Sequence, residues 1–350
     1  MFRDSAARLK VPGESPSLRL SVAMCTCNGA LYIREQLESI VAQRQPPNEL
    51  IICDDKSDDE TQEIVRSFIS NVSFPVRLYV NESRLGVIRN FERAINLCDG
   101  DIIALSDQDD VWAANKLERI KEHFAAAPET GLVLTDAEVV DKDLRPLGYK
   151  LWQSVFSHRE QKRFKAGGAF DVLLRRNIAT GATMAFRSKF KELVLPVPTD
   201  LTIIHDGWIA TVIAAVALVK LIDEPLIKYR QHSGQQIGVS PRSAPDAVLQ
   251  AFFNTRATAA SSKASFLNDI YRLKKIRTRL LSHGHDFAIA RAVRQLEAIT
   301  THLEARASMP AGKLTRVPLV LQELLTLRYH RYSKGIRSAL RDLSVTDSPP

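Results

Sequence analysis

Residues 18–136 alternate short, near-continuous apolar runs with amphipathic stretches, and this rhythm limits the possible folds more than any other feature of the chain. LRLSVAM (18–24), ELIICDD (49–55), VRLYVN (76–81), DIIALSD (101–107) and GLVLTD (131–136) read as strands. Between them, 30–43 places Ile33, Leu37, Ile40 and Val41 at helical spacing. The stretch from Asp58 to Ile69 does the same with Ile64, Val65 and Phe68, and 87–98 with Ile88, Phe91 and Ile95. A fourth helix fits 114–126. Ser57 followed by Glu60 has the pattern of a capping box opening the second helix. Strands apolar at nearly every position are covered on both faces. The order therefore predicts an α/β fold with a mostly parallel central sheet and helices on both sides.

In such sheets ligands bind beyond the carboxyl ends of the strands. Three strand ends deliver short polar side chains there: CTCNGA (25–30), CDDKSDD (53–59) and SDQDD (106–110). Asp107, Asp109 and Asp110 crowd three carboxylates into four residues, which repel one another unless a cation or donors offset them. Hard oxygen ligands of this kind suit Mg²⁺ or Mn²⁺. With Asp107 and Asp109 pointing to one side, one reaches the cation and the other a sugar hydroxyl or metal-bound water. Asp54 and Asp55 suit ribose hydroxyls or a base N–H, and Thr26 and Asn28 close the first strand. A glycine after Asn28 allows close backbone approach; an ordinary Asn-Gly turn gives the same pattern. Arg84, Arg89 and Asn90 precede or open a helix, where a guanidinium suits a diphosphate. G-x-G-x-x-G and P-loop spacings are both absent.

Downstream, 141–165 reads as a polar loop, and ATGATMAFR (179–187) as a glycine-containing turn into a strand. Residues 205–219 form an apolar helix opening with His205 and Asp206. ALVKLIDEPLIKYRQH (217–232) reads as two strands around a turn at Asp223-Glu224-Pro225. Asp206 is placed to take a proton from an attacking hydroxyl, and the His232 imidazole to complete a cation site. After Pro245 the pattern is long, basic and helical to about 342. Residues 241–350 hold 18 Lys and Arg against 8 Asp and Glu, while the whole chain carries +8, so the front is near neutral. That asymmetry points to an anionic partner such as a membrane surface or a charged lipid-linked substrate. Nucleic acid is not expected, because few aromatics interleave the basic residues. The longest apolar run, WIATVIAAVALV, is too short to span a bilayer. Pro318 is placed to open a helix carrying Val317, Leu321, Leu324 and Leu325, a stripe that faces either a membrane or the body of the protein. No signal peptide is recognised in the opening residues, so Cys25, Cys27, Cys53 and Cys98 read as reduced, mostly buried thiols.

Taken in order, TCNG, DDKSDD, LGVIRNFERAI, LSDQDDVW, TGATMAFR, HDGW and YRQHSG resemble the family 2 inverting glycosyltransferases, and within them the bacterial rhamnosyltransferase branch. The resemblance covers residues 18–240. It implies a GT-A nucleotide-diphosphosugar transferase fold over 18–240, after a flexible lead-in (1–17) and before a basic helical extension (241–350). It further implies that Asp55 contacts base or ribose, and that Asp107 and Asp109 form the D-x-D element with Asp109 on the cation. His232 would lie near the diphosphate or metal. Asp206 would act as base, and Gly181, Thr183 and Trp208 would lie on the acceptor side. Two departures stand out. TCNG lacks the aromatic of the usual T-Y-N, and His205-Asp206 replaces an acidic pair.

The expected reaction moves a sugar, rhamnose from dTDP-rhamnose by family branch, to a saccharide or lipid-linked acceptor in cell-surface polysaccharide (O-antigen) synthesis. A cytoplasmic location at the inner membrane face goes with it. Alternatives are a UDP-sugar transferase or an inactive nucleotide-sugar-binding protein. A metal-dependent nucleotidyltransferase would need a glycine-rich basic loop near the first strand, which this chain lacks.

Overall fold

The computed structural model describes residues 18–70, 72–232 and 259–344. The lead-in at 1–17 and the boundary at 240/241 lie outside the described residues. Nine strands form one sheet: β1 (Leu20–Thr26), β2 (Glu49–Asp54), β3 (Val76–Val80), β4 (Ile102–Ser106), β5 (Val111–Trp112), β6 (Thr130–Val140), β7 (Pro146–Lys150), β8 (Met184–Arg187) and β9 (Leu218–Arg230). Their order is β3-β2-β1-β4-β8-β6-β9-β5, with β7 paired to β6. Every residue of β1, β2 and β4 is buried, as strands sandwiched between helices require.

The parallel expectation holds for β3, β2, β1 and β4. Beyond β4 the sheet is mixed. β8 runs antiparallel to both β4 and β6, so β6 does not follow β4 directly. The expected hairpin at 217–232 is instead one 13-residue strand. Its register against β6 jumps from Thr135↔Ile222 to Asp136↔Pro225, so Asp223 and Glu224 form a bulge rather than a turn. Pro225 ends up where the ladder is already broken, the place a strand tolerates a residue without an N–H. The stretch 141–165 also contains more structure than its polarity implies: β7, α5 (Leu151–Val155) and α6 (His158–Arg163).

The first four helices form where the apolar spacing puts them: α1 (Ile33–Val41) is shorter at both ends, α2 (Thr61–Ile69) and α4 (Lys116–Ala126) start later, and α3 (Gly86–Leu97) is shifted by one residue. Val41 faces solvent. Ser57 does not cap α2; its hydroxyl turns back to Asp54 Oδ2 at 2.6 Å, and the helix starts at Thr61, whose N–H bonds Asp59. Further on lie α7 (Ala169–Arg175), α8 (Lys191–Val194) and α9 (His205–Val216). Cys25, Cys53 and Cys98 are buried free thiols, and Cys27 is half-buried.

The tail contributes α10 (Ala259–His283), α11 (Phe287–Ala307), α12 (Lys313–Leu325), α13 (Arg328–Tyr332) and α14 (Ile336–Ser344). α10 and α11 share the main core through Leu273, Ile276, Leu280 and Leu296. Arg279 binds the carbonyls of Leu193 and Pro196 and stacks on Trp208. The last three helices gather around Val320, Tyr329 and Ala339. Pro318 does not open α12, which begins at Lys313 behind Gly312.

Under those helices His302 is fully buried, with Nδ1 2.6 Å from Glu323 and Nε2 2.8 Å from Ser333. Burial holds its pKa below that of a free imidazole. The unfolded chain therefore takes up a proton more readily, and this contribution to stability is present above about pH 6.5 and lost as pH falls below it. The melting temperature, measured between pH 7.5 and 5, should drop more steeply in the wild type than in His302→Gln. Equal slopes would exclude the histidine as the cause.

Candidate functional site

Parallel pairing places Thr26 beside Asp54, and Met24 beside Ser106, so the three polar strand ends meet at one edge. Several residues expected to touch ligand are engaged within the protein there. Asp54 is fully buried and accepts from Thr26 Oγ1 (2.7 Å), Ser57 N (2.9 Å), Ser57 Oγ (2.6 Å) and Gln62 Nε2 (3.0 Å). That pattern fills the carboxylate's acceptor sites, and it occupies the Thr26 hydroxyl too. Asn28 is exposed in the left-handed region (φ 51°), and its side-chain oxygen takes the Asp58 N–H. It makes the Asn-Gly turn. Asn90 is buried, bridging Asn81 and the Cys53 carbonyl. The Arg84 and Arg89 side chains lie in exposed pairs with Asp58 and Glu92.

Asp55 sits where the cleft wall turns into α3. It accepts from Asn81 Nδ2 (2.8 Å) and from the backbone N–H groups of Leu85 (2.7 Å) and Gly86 (2.8 Å). About one of its four acceptor positions stays available.

The DQDD loop forms the opposite wall. Gln108 binds both the N–H (2.8 Å) and the carbonyl (3.0 Å) of Cys27. Its amide lies over Gly29, where a Cβ would come within 2.2 Å of Oε1, so the glycine serves this clamp. Arg230, at the end of β9, is 2% exposed. Its Nε donates to the Asp109 carbonyl (2.7 Å), its N–H to Asp110 Oδ1 (3.1 Å), and its guanidinium pairs with Glu35 and lies 4.6 Å from the Tyr32 ring centre. Asp110 is thus the buried brace of the loop.

The remaining acids point together. Asp109 Oδ2 is 2.8 Å from His232 Nε2. Burial, then the charge of Asp109, then that of Asp206, pushes the Asp107 carboxyl up to about 7. Lys116 opposes them from below. It is fully buried, bonded to the Ala182 carbonyl (2.7 Å) and 3.7 Å from the Trp112 ring centre, and burial brings it down to about 7. Asp206, from the start of α9, is 7% exposed. Its Oδ1 takes Gly207 N–H (2.5 Å) and Asn177 Nδ2 (3.2 Å), and its Oδ2 faces Gly181 N–H (3.3 Å). Gly181 approaches α9 so closely that a Cβ would lie 3.1 Å from His205 Nε2. Those contacts orient the carboxylate.

Thr183 and Trp208, expected on the acceptor side, are engaged within the protein. Thr183 is buried and its hydroxyl bonds the Thr180 carbonyl (2.8 Å). Trp208 is 1% exposed, with its indole N–H on Val194 O (2.8 Å), so it joins α9 to α8 and α10. A cleft of about 490 Å³ lined by Trp112, Tyr149, Lys150 and Gln153 lies beside the acids but includes none of them.

Among the described residues no group of three or more His, Cys, Asp or Glu side chains is placed to hold a metal ion by itself. The donors that do converge, Asp109 and His232 beside the strained Asp107, suit a cation that takes its other ligands from a substrate phosphate and water.

Parallel strand ends that bring polar side chains to one edge of a sheet continued by a mixed half are the arrangement of the GT-A fold. Residues 21–193, just under half of the chain, match the model of Glycosyl transferase family 2. Asp206 and His232 lie beyond the matched stretch.

The chain is 36% identical over 101 residues to the dTDP-rhamnosyl transferase RfbG of Shigella flexneri, covering 27% of this chain and 34% of that one. It is 33% identical over 99 residues to the UDP-Glc:alpha-D-GlcNAc-diphosphoundecaprenol beta-1,3-glucosyltransferase WfgD of Escherichia coli, covering 28% and 38%. Over a longer alignment of 228 residues it spans 65% of the length of a curated relative at 25% identity. In structure it is similar to S. aureus TarS 1–349 in complex with UDP, with a TM-score of 0.55 and 15% identity over 95% of this chain and 91% of that one. At that identity the likeness concerns the fold.

Proposed function

We propose that the protein transfers a sugar from a nucleotide diphosphate donor to an acceptor hydroxyl in a single displacement with inversion. The observation that carries this reading is that Asp206 is held by the Gly181 N–H, one residue before the Ala182 carbonyl that binds the buried Lys116 behind the DQDD loop, and lies near enough for its charge to act on Asp107. The nucleotide lies between the α3 wall, with Asp55 at its corner, and the DQDD loop. Asp109 and His232 would hold a divalent cation, Mg²⁺ or Mn²⁺, which when bound would supply positive charge to offset that developing on the leaving diphosphate. Asp206 takes the proton of the acceptor hydroxyl as its oxygen attacks the anomeric carbon, and the C–O bond to the diphosphate breaks on the opposite face. Gly207, Asn177 and Gly181 keep the Asp206 carboxylate aimed through that step. The transition state is oxocarbenium-like, as in glycoside hydrolysis.

dTDP-rhamnose is the proposed donor, supported by the motif pattern and by the match to a dTDP-rhamnosyl transferase. A UDP-sugar is the second reading, favoured by the match of similar identity and length to a UDP-Glc transferase. The acceptor proposed is a saccharide or lipid-linked saccharide of the cell surface. A thermal-shift panel with dTDP, UDP and GDP, each with and without Mn²⁺, separates the readings. A diphosphate at about 100 times its Kd adds roughly 2.7 kcal/mol of stability. The expected result is a Mn²⁺-dependent shift with dTDP larger than with UDP. An unchanged melting temperature with all three would overturn the donor site.

A further inference from the structure

The C-terminal helices turn apolar side chains outward. On α12, Leu314, Val317, Leu321 and Leu325 recur at spacings of three, four and four, so they share one face of the helix. They are 88%, 38%, 52% and 84% exposed. The inward side is separately satisfied by Val320 and Leu324 packed with Tyr329 and Ala339. α14 repeats the arrangement: Ala339 points in, while Ile336 and Leu340, one turn apart, are each 60% exposed. Leu324, which the sequence alone grouped with the stripe, belongs to the inward side.

Charge is sorted in the same way. Between 313 and 344 the only acids are Glu323 and Asp342. Glu323 is held by His302 and Arg328, and Asp342 by Arg306 and Tyr329. The exposed ionic side chains of this segment are Lys313, Arg331, Lys334, Arg337 and Arg341, all cationic. A water-facing surface has no use for a leucine stripe, and a monomer rarely leaves one uncovered. Cations flanking apolar side chains, with the acids withdrawn, complement anionic headgroups over an acyl layer. A helix of 13 residues extends about 20 Å, too short to cross a bilayer, so it would lie in the plane of the surface.

We propose that α12 and α14 form a docking face for an anionic membrane surface, with Leu314, Val317, Leu321 and Leu325 entering the headgroup–acyl boundary. The proposal does not depend on which sugar is transferred, or on transfer itself. The test is flotation of the full-length protein with vesicles of phosphatidylcholine alone, or with about 30 mol % phosphatidylglycerol. Strong association with the anionic vesicles only is expected, weakened by salt. Leu321→Asp combined with Leu325→Asp, both solvent-facing changes, should lower that association by about tenfold or more while leaving the melting temperature unchanged. Failure of the wild type to float with anionic vesicles, or equal flotation of the double variant, would overturn it. A stripe-dependent dimer in light scattering, in place of vesicle binding, would assign the face to a second copy and overturn it equally.

Discussion

Asp206→Asn is expected to lower the turnover of sugar transfer by about 10² to 10⁴-fold, the range a positioned general base supplies. The substitution keeps the size and shape of the side chain. The amide oxygen can still accept from Gly207 N–H and Asn177, so α9 should start as before. What disappears is the capacity to take a proton. Nucleotide binding, read by the same thermal shift as in the wild type, should therefore persist while turnover collapses. A variant that turned over at the wild-type rate would remove Asp206 from the mechanism. One that lost donor binding along with turnover would make it a donor ligand instead.

The second large effect is at Asp109. Its side chain reaches His232, whereas its backbone carbonyl, held by Arg230, would survive truncation. Asp109→Ala should abolish the Mn²⁺-dependent part of the nucleotide thermal shift and reduce turnover by on the order of 10²–10³, as loss of one electrostatic contact to a developing charge does elsewhere. Its effect on the ligand-free protein should have the opposite sign. Asp109 helps raise the carboxyl of Asp107 to about 7 and also pushes that of Asp110 well above the usual carboxylate range. Removing one of three crowded acids relieves that repulsion, and the free protein should melt no lower than the wild type. A clear loss of stability in the free protein would mean that Asp109 is a structural residue like Asp110. The two variants thus divide the site: one loses chemistry with binding intact, the other loses cation-linked binding with the fold intact.

Much of this was legible in the sequence because the parallel half of the sheet obeys local rules. Apolar runs ending in acids gave the strand ends, and strand ends in a parallel sheet converge. Asp109 meets His232, and Asp206, although distant in sequence, lies near enough for its charge to act on Asp107. What local reading could not do was tell a ligand-facing acid from one engaged inside. Asp54 and Asp55 are adjacent and chemically identical, yet Asp54 is saturated by Thr26, Ser57 and Gln62. The same limit affected Asn90, Thr183 and Trp208, whose hydrogen-bond partners come from other segments. Gln108, Asn177, Lys116 and Arg230 were missed for the complementary reason: each acts through a backbone group or neighbour far away in the chain. A weak signal did exist for two of them. Arg230 is a cation at the end of an apolar strand, and Lys116 opens an amphipathic helix on its buried side. The antiparallel β8 was read as a strand but not placed, because pairing direction depends on the connection and not on the run itself.

That short strand carries a cost during synthesis. β4 is buried along its whole length and apolar up to Ser106, and among the described residues its free edge is paired with β8, which leaves the ribosome roughly 80 residues later. Until then a nascent chain holds a finished four-stranded half-sheet with one bare, hydrophobic rim able to pair with any extended peptide nearby. The order of translation, rather than the energy of the finished molecule, sets the interval in which this protein is most exposed to mispairing.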